Sequence, residues 1–591
     1  MTYDSPGTPT KTVREELLAP LRRVLEWQLS MRESDGSIRC PEHGVEHTGK
    51  SAGVIVLALE LARRDPRADV DRLREVALEQ GRRLVGNLVN EENSPCYTFR
   101  PGRHDPFNCS NSVIDGGAAA DALGALAREL GGEQASEFSA ASLLHARTYL
   151  RYAVIDKGIP AQRAWGLTGL ASAWRNEPDD VLRDAALEAL ELLARIQRAD
   201  GSYPYHPREW GAEHVGSSDA SAYYQSRVTA FLIHGLEDLG LDPTSSEYAA
   251  PLRRGLEFLA ALHGPDGTKC GLVEAKPWYW GATYEVASHP FDVFALCAGW
   301  RLFGEERWGR AALAAYRAWE RHLDSDGAPR SHLPGPGRGR SYQCPLFWAG
   351  HAMWAARALG DLEAIHETLE GPAESSSCAL EVRVFEETSL VRLEDSTVVA
   401  WVRGSRPGVN VAHGSPHGAG LLRVVRKADG RELLTRCRLG GNQSAEWSGL
   451  AGNFSPLRGW RAGGREVRFS TWLARVHWRA GRRLRALCTP LITLRRGVLA
   501  FAHARVSSAF ALEAELTHDE SSVTLRSPLA WRDGSSVPGS ALQREFRVDG
   551  RGLLVSEKLL SSAAARDVDY RLPQGAIEIV RDGEEIRYRL A

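Results

Sequence analysis

Through residue 360 the apolar positions of the chain recur every three or four residues, the spacing of one helix face. "TVREELLAPLRRVLEWQLSMR" carries one apolar stripe, whereas "KSAGVIVLALELARR", after a polar interruption, is apolar nearly all round. A helix of the first kind buries one face, and one of the second kind must be buried on most sides. The alternation recurs from "VLRDAALEALELLARIQR" to "AYYQSRVTAFLIHGLEDLG" and from "ERWGRAALAAYRAWERHL" to "CPLFWAGHAMWAARALG". Such pairs repeat at roughly 50 to 65 residues, a period typical of repeated supersecondary units. Six amphipathic helices outside six buried ones predict an (α/α)6 toroid over residues 1–370. Asp-Gly turns at Asp35, Asp200, Asp266 and Asp326 follow outer helices at matching points. The long outer-to-inner loops are therefore expected to open on one face, as a common mouth.

A bridge rich in Glu, Pro and Ser, "ETLEGPAESSS", ends this pattern. Beyond it the period drops to two: "LEVRVFEETSLVRL", "STVVAWVRG", "REVRFSTWLARVHWRAGRRLRAL" and "IEIVRDGEEIRYRL" alternate as half-buried strands do. Residues 377–591 are accordingly expected to form an antiparallel β-sandwich. The 591 residues suffice for two such domains. The 73 basic and 75 acidic residues nearly cancel, to a formal charge of −2, so no general attraction to nucleic acid or anionic membrane is expected. No run of about 18 apolar residues is present, so no membrane span is expected. The start, "MTYDSPGTPTKTVREELLAP", has no apolar signal region, which predicts a cytoplasmic location as written; a removed signal would instead place the chain outside the cytoplasm. Nine cysteines without CxxC pairs suit free thiols in a reducing compartment.

Candidate chemistry concentrates in the mouth loops. "DGSYPYHPREWGAEHVGSSDASAYYQSR" contributes His206, Tyr223, Tyr224 and Arg227. "EAKPWYWGATYEVASHP" contributes Trp278, Trp280, Tyr284 and His289, and "GRGRSYQCPLFWAGH" contributes Arg340, Tyr342 and Trp348. Tryptophan offers a flat platform for a sugar ring, and arginine pairs with a carboxylate or sulfate. Together they suit an anionic polysaccharide or oligosaccharide. A uronate sugar is cut without water when its C5 proton is removed and the 4-linked sugar departs. That chemistry needs Asn, His or Arg on the carboxylate, a His or Tyr base, and an acid for the leaving oxygen. A tyrosine of pKa about 10 serves as base only where neighbouring cations lower it. Arg227 and His206 are the expected cations for Tyr223 or Tyr224, and Tyr224 and Arg227, three apart on a helix, share a face.

These segments carry a resemblance. "DGSYPYH" is similar to a DGSF-x-QH-like stretch, and "HVGSSDASAYYQSRVTAFLIHGL" to an E-x-S-x-x-Y-H segment, of the heparinase II/III-like and hyaluronate-, chondroitin- and alginate-lyase superfamily. "NVAHGSPHGAGLLRVVRKADGREL" echoes the H-x-H-x-D stretch of the same proteins. Gln225 stands where a histidine would follow the tyrosine, and Asp219 or Ser218 where Glu would stand. The resemblance implies a toroid followed by a β-sandwich, β-elimination of a uronate glycan, and Asn111, His206 and Tyr224 as candidate catalytic residues.

Each candidate also has an ordinary explanation. Asn111 suits an N-cap for the helix from Ser112. At most one of Tyr223 and Tyr224 faces the mouth, and His289, before Pro290, suits a loop end. No cofactor is expected; His413 and His417, four apart, form the weak alternative of a metal site needing a third ligand. Two other function classes stay open. A glycoside hydrolase on the same toroid would use two of Asp115, Glu213, Asp219, Glu274 and Glu285. A non-catalytic glycan-binding or exopolysaccharide-assembly protein would keep Trp and Arg without the base.

Overall fold

The computed structural model describes residues 12–39, 46, 48–90, 96–99, 112–156, 158–211, 218–270, 272, 288–329, 345–369, 380–408, 418–436, 445–451, 505–531, 534–562 and 565–591. In chain order the helices are α1 (Val13–Leu29), α2 (Thr48–Arg64), α3 (Val70–Asn87), α4 (Ser112–Leu130), α5 (Gly132–His145), α6 (Arg151–Asp156), α7 (Pro160–Asn176), α8 (Asp180–Ile196), α9 (Ala222–Asp238), α10 (Ala249–Leu262), α11 (His289–Phe303), α12 (Glu306–Arg321), α13 (Pro345–Ala349), α14 (Ala352–Arg357) and α15 (Leu359–Leu369). A short antiparallel pair, β1 (Leu88–Asn90) and β2 (Tyr97–Phe99), lies between α3 and α4.

The outer helices follow the amphipathic rule. In α8, Asp179 caps the first turn by accepting from the Val181 amide at 2.9 Å, and Leu182, Ala186, Ala189, Leu190 and Leu193 form its buried stripe. By contrast α7 and α9 bury nearly every position. Helices α2, α4, α7, α9, α11 and α14 each pack on the next, and α14 packs back on α2, so they close a ring. The outer turns repeat the closure. Gly201 (φ 84°) and Gly327 (φ 91°) occupy the left-handed region, and an added Cβ would collide with the carbonyl of Arg254 in α10 and of Arg23 in α1 respectively. The turn after each of these outer helices thus rests on the next, and the turn after α12 rests on α1.

Two details differ from the periodicity. The expected last inner helix is divided into α13 and α14 at Gly350, where Gly53 of α2 comes so close that a Cβ would strike the backbone. Helix α15 also extends into the expected bridge, because Leu359, Leu362, Ile365 and Leu369 form a buried stripe of their own; it packs on α12 and α1.

The strands are β3 (Glu381–Phe385), β4 (Leu390–Glu394), β5 (Val398–Arg403), β6 (Gly420–Arg426), β7 (Glu432–Thr435), β8 (Glu446–Ala451), β9 (Arg505–Ser507), β10 (Glu515–His518), β11 (Ser522–Ser527), β12 (Ala530–Trp531), β13 (Ala541–Val548), β14 (Leu553–Ser561), β15 (Ala565–Arg571), β16 (Ile577–Asp582) and β17 (Glu585–Leu590). They form three antiparallel sheets, ordered β3-β4-β5-β6-β7, β12-β9-β8-β15 and β10-β11-β13-β14-β17-β16. All three contribute to one apolar core that includes Val391, Leu421, Trp447, Phe546 and Tyr588. The expected strand "REVRFSTWLARVHWRAGRRLRAL" lies outside the described residues.

The first sheet also packs on the helices. Phe385, Leu390, Trp401 and Leu422 share a buried cluster with Phe258, Leu262 and Ala222. Trp401 Nε1 donates to the Ala261 carbonyl at 2.8 Å, and Arg423 pairs with Asp266, of an Asp-Gly turn, at 2.7 Å. This brings the sheet against the loop end of the ring.

Candidate functional site

The described ends of the loop between α8 and α9, residues 200–211 and 218–221, are pinned together. The Tyr205 amide donates to the Asp219 carbonyl at 2.9 Å, and Pro204 pairs with Ala220 as an isolated bridge. Gln225 brackets the base: its Oε1 accepts from the Tyr203 amide at 2.9 Å and its Nε2 donates to the Gly201 carbonyl at 3.1 Å. Thus the glutamine that stands in place of a motif histidine is buried and structural. Ser221 caps α9 by accepting from the Tyr224 amide at 3.3 Å.

The pin delivers Tyr205 to Tyr224. Their ring centroids are 4.6 Å apart at 60°, and Tyr223 meets Tyr224 edge-on at 4.8 Å. Burial, then the neighbouring Tyr224 oxygen and a hydrogen bond with it, hold the Tyr205 phenol well above the usual tyrosine range. Tyr205 therefore remains a neutral donor, whereas Tyr224 is only half-buried. Tyr223 packs in the helical core.

Arg227 lies one turn below, 1% exposed. Its Cζ is 3.4 Å from the Tyr223 ring centroid, 4.6 Å from that of Phe291, and 5.8 Å from those of Trp165 and Tyr224. Nη1 donates to the Tyr223 carbonyl at 2.9 Å, whereas Nη2 has no hydrogen-bond partner among the described residues. No carboxylate among the described residues forms an ion pair with this guanidinium. Aromatic faces attract a desolvated cation by about 2 kcal/mol or more. They offset only part of its desolvation, several kcal/mol for a buried ion. The arrangement can accept an anion.

Several expected site residues are placed differently. An added Cβ at Gly158 would sit 2.7 Å from His206 Nε2, so that imidazole lies over the turn before α7, and the ring packed against Tyr224 is that of Tyr205. His289 is fully buried at the start of α11 and Trp348 is 2% exposed beside His351, with ring centroids 5.6 Å apart. Both are buried among the inner elements of the ring. Asn111, Trp278, Trp280, Tyr284, Arg340 and Tyr342, with His413 and His417, lie outside the described residues. Among the carboxylates considered for hydrolysis, Asp219 is consumed in a buried ion pair with Arg403 and Arg406, and Asp115 is 2% exposed. Glu213, Glu274 and Glu285 lie outside the described residues.

Two charged clusters were not singled out by motif. Beside His289, Lys269 Nζ lies 3.0 Å from Asp292 Oδ2 and donates to Ser288 Oγ at 2.9 Å and to the Ala222 carbonyl at 3.2 Å. It thereby ties the first turn of α9 to that of α11. Burial alone would raise the Asp292 carboxyl, but Lys269 and His263 outweigh it and bring it down to about 2. Burial pushes the His289 imidazole well below its usual range. The position of Lys269, two residues after the turn glycine Gly267, was the available signal.

The second cluster closes the other end of the ring. Arg357 Nη1 and Nη2 donate to the two Asp121 oxygens at 2.8 and 3.0 Å, and His234 Nε2 lies 3.1 Å from Asp121 Oδ1. Arg175 pairs with Asp238 at 2.7 Å. Ligand atoms of Asp121, His234 and Asp238 fall within 4.8 Å of one another, a spacing that suits a metal. Each carboxylate already pairs with a guanidinium, Asp121 with Arg357 and Asp238 with Arg175, so the donor set is that of an ion-pair network.

The described chain is thus a closed helical ring followed by layered antiparallel sheets, with a buried, unpaired arginine under tyrosines at the end facing the first sheet. No family profile and no curated protein matches the chain. Among solved structures it is similar to the cellobiose 2-epimerase from Spirochaeta thermophila, at 15% identity and a TM-score of 0.45 over 59% of this chain and 96% of that one. It is also similar to a glycosyl hydrolase family 88 protein from Bacteroides vulgatus, at 15% identity and a TM-score of 0.44 over 60% of this chain and 99% of that one. A third, a polysaccharide lyase, has 15% identity and a TM-score of 0.43 over 61% of this chain and 99% of that one.

Proposed function

We propose that the chain is an enzyme, an (α/α)6 toroid with a β-sandwich, that cleaves a uronate-containing anionic polysaccharide or oligosaccharide by β-elimination at the mouth. One observation carries the reading: a buried guanidinium whose Nη2 has no partner among the described residues lies one helical turn from a half-buried tyrosine. A uronate carboxylate on Arg227 loses part of its charge to the pair, which makes the adjacent C5 proton easier to remove. Tyr224 takes that proton as phenolate, the C4–O bond breaks, and the resulting phenol protonates the departing oxygen, so no water is consumed. Tyr205, held neutral, donates a hydrogen bond to Tyr224 and favours its phenolate form. In this reading Asn111 supplies a second carboxylate ligand.

The test is incubation of the protein with hyaluronate, chondroitin sulfate, alginate and heparin while the ultraviolet absorbance of a 4,5-unsaturated uronate is followed. Absorbance that grows with time supports elimination. New reducing ends without absorbance would replace it with hydrolysis, and neither signal would favour binding alone.

A further inference from the structure

We propose that Arg403, which ends β5, and Arg406, three residues beyond it, are positioning residues for the Tyr205–Tyr224 pair and act through the carboxylate of Asp219. The link to turnover rests on the reading of Tyr224 as the proton carrier; the positioning itself does not.

The pin that holds Tyr205 is supported on two sides. On the ring side Gln225 brackets its base and Ser221 caps α9. On the other side the support comes from outside the helical region. Arg403 Nη2 donates to Asp219 Oδ1, which also accepts from the Ala220 amide at 2.9 Å, and Arg406 Nη2 lies 2.8 Å from Asp219 Oδ2. The side chains of all three are at most 1% exposed. Burial would raise the Asp219 carboxyl, but Arg403 and Arg406 outweigh it and keep it ionised. Arg198 adds a third guanidinium by donating to the Ser218 carbonyl.

The mechanical path is short. Asp219 uses its side chain for the sheet and its backbone carbonyl for the Tyr205 amide. Any displacement of that carboxylate moves the acceptor of the Tyr205 amide, and the Tyr205 ring lies against Tyr224. The arginines are themselves fixed. Arg403 ends β5 and pairs in register with Leu390 and Gly420, and the Arg406 amide donates to the Leu512 carbonyl at 2.8 Å. The sheet has other attachments to the ring, at Trp401 and Arg423, so loss of the clamp need not undock it. That separation makes a local effect measurable.

The experiment compares full-length wild type with R403K and the R403Q/R406Q double variant. Hydrogen exchange at the Tyr205 amide should accelerate by about tenfold or more in the double variant and less in R403K, with α2 amides unchanged. Ultraviolet difference titration should show one tyrosine moving down toward ordinary ionisation as Tyr205 leaves its buried place. With whichever of the four polysaccharides is cleaved, kcat should fall by about tenfold with KM within about twofold. Unchanged Tyr205 exchange in a folded double variant overturns the proposal. If the double variant does not fold, R403K decides: exchange equal to wild type overturns it. Accelerated exchange with unchanged kcat overturns the link to chemistry. Wild type inactive on all four glycans would sink the lyase reading alone, since exchange and titration need no substrate.

Discussion

Helix α9 carries buried charge at both ends of the ring, and the two ends treat it differently. At the closed end, Asp238 is paired with Arg175, and His234 and Arg357 converge on Asp121. At the mouth end, Arg227 has aromatic faces and one backbone carbonyl but no carboxylate among the described residues. Seven residues, or about two helical turns, separate Arg227 from His234. A charge whose partners all come from the fold serves the fold; one without a carboxylate partner among the described residues can take a ligand's. The contrast is a better guide than burial, because both groups are buried.

The largest expected effects test each end by its own measure. Asp121→Ala strands Arg357 without its main partner, and breaking such a buried pair costs about 3–5 kcal/mol. Denaturant unfolding should show that loss; a change below about 1 kcal/mol would mean the closed end is not a stability element. Tyr224→Phe removes one hydroxyl from the mouth and should leave stability nearly unchanged. Turnover should fall by about 10² to 10⁴ with little change in binding if that hydroxyl carries the proton. Full elimination activity in this variant would move the role to another residue.

A smaller effect sharpens the closed end. Burial opposes ionisation of Asp121, but Arg357 and His234 outweigh it and hold its carboxyl below the usual carboxylate range. An acid whose folded pKa is depressed adds stability above its unfolded pKa, near 3.9, and loses it as pH falls toward the folded value. Unfolding free energy of the wild type should therefore decline below about pH 4 more steeply than that of Asp121→Asn. Parallel curves would show that Asp121 gains nothing from its partners.

The ring was legible in the sequence because its signals are local and repeated. The buried stripe of α8 and the all-round burial of α9 follow directly from period and composition. The Asp-Gly turns announced where the loops begin, and the left-handed glycines Gly201 and Gly327 occupy them. Helix α15 was hidden because its stripe starts within the expected last inner helix and runs into the bridge. The site was legible only in part. Tyr224 and Arg227 share a helix, so their proximity follows from spacing alone. The Tyr205–Tyr224 contact depends on a pin closed by Asp219, whose partners Arg403 and Arg406 lie some 185 residues on. Trp348 and His289 looked like platform and ligand by type, but the positions of inner elements decide exposure more than residue type does.

The smallest expected change is the most discriminating, because it opposes intuition about buried arginines. Arg227→Met keeps most of the side-chain length and removes the charge. The lost cation–π attraction, about 2 kcal/mol or more, is more than offset by relief of desolvation, several kcal/mol for a buried ion. Stability should therefore fall by no more than about 1 kcal/mol below wild type, unlike Asp121→Ala. Affinity for an anionic glycan should fall by at least about tenfold, since the carboxylate loses its partner, while a neutral glycan should be bound nearly as before. Calorimetric unfolding and titration of the same preparations measure both quantities. A loss of several kcal/mol in stability, with affinity per folded molecule intact, would make Arg227 a structural cation like Arg357 and remove the distinction between the two ends.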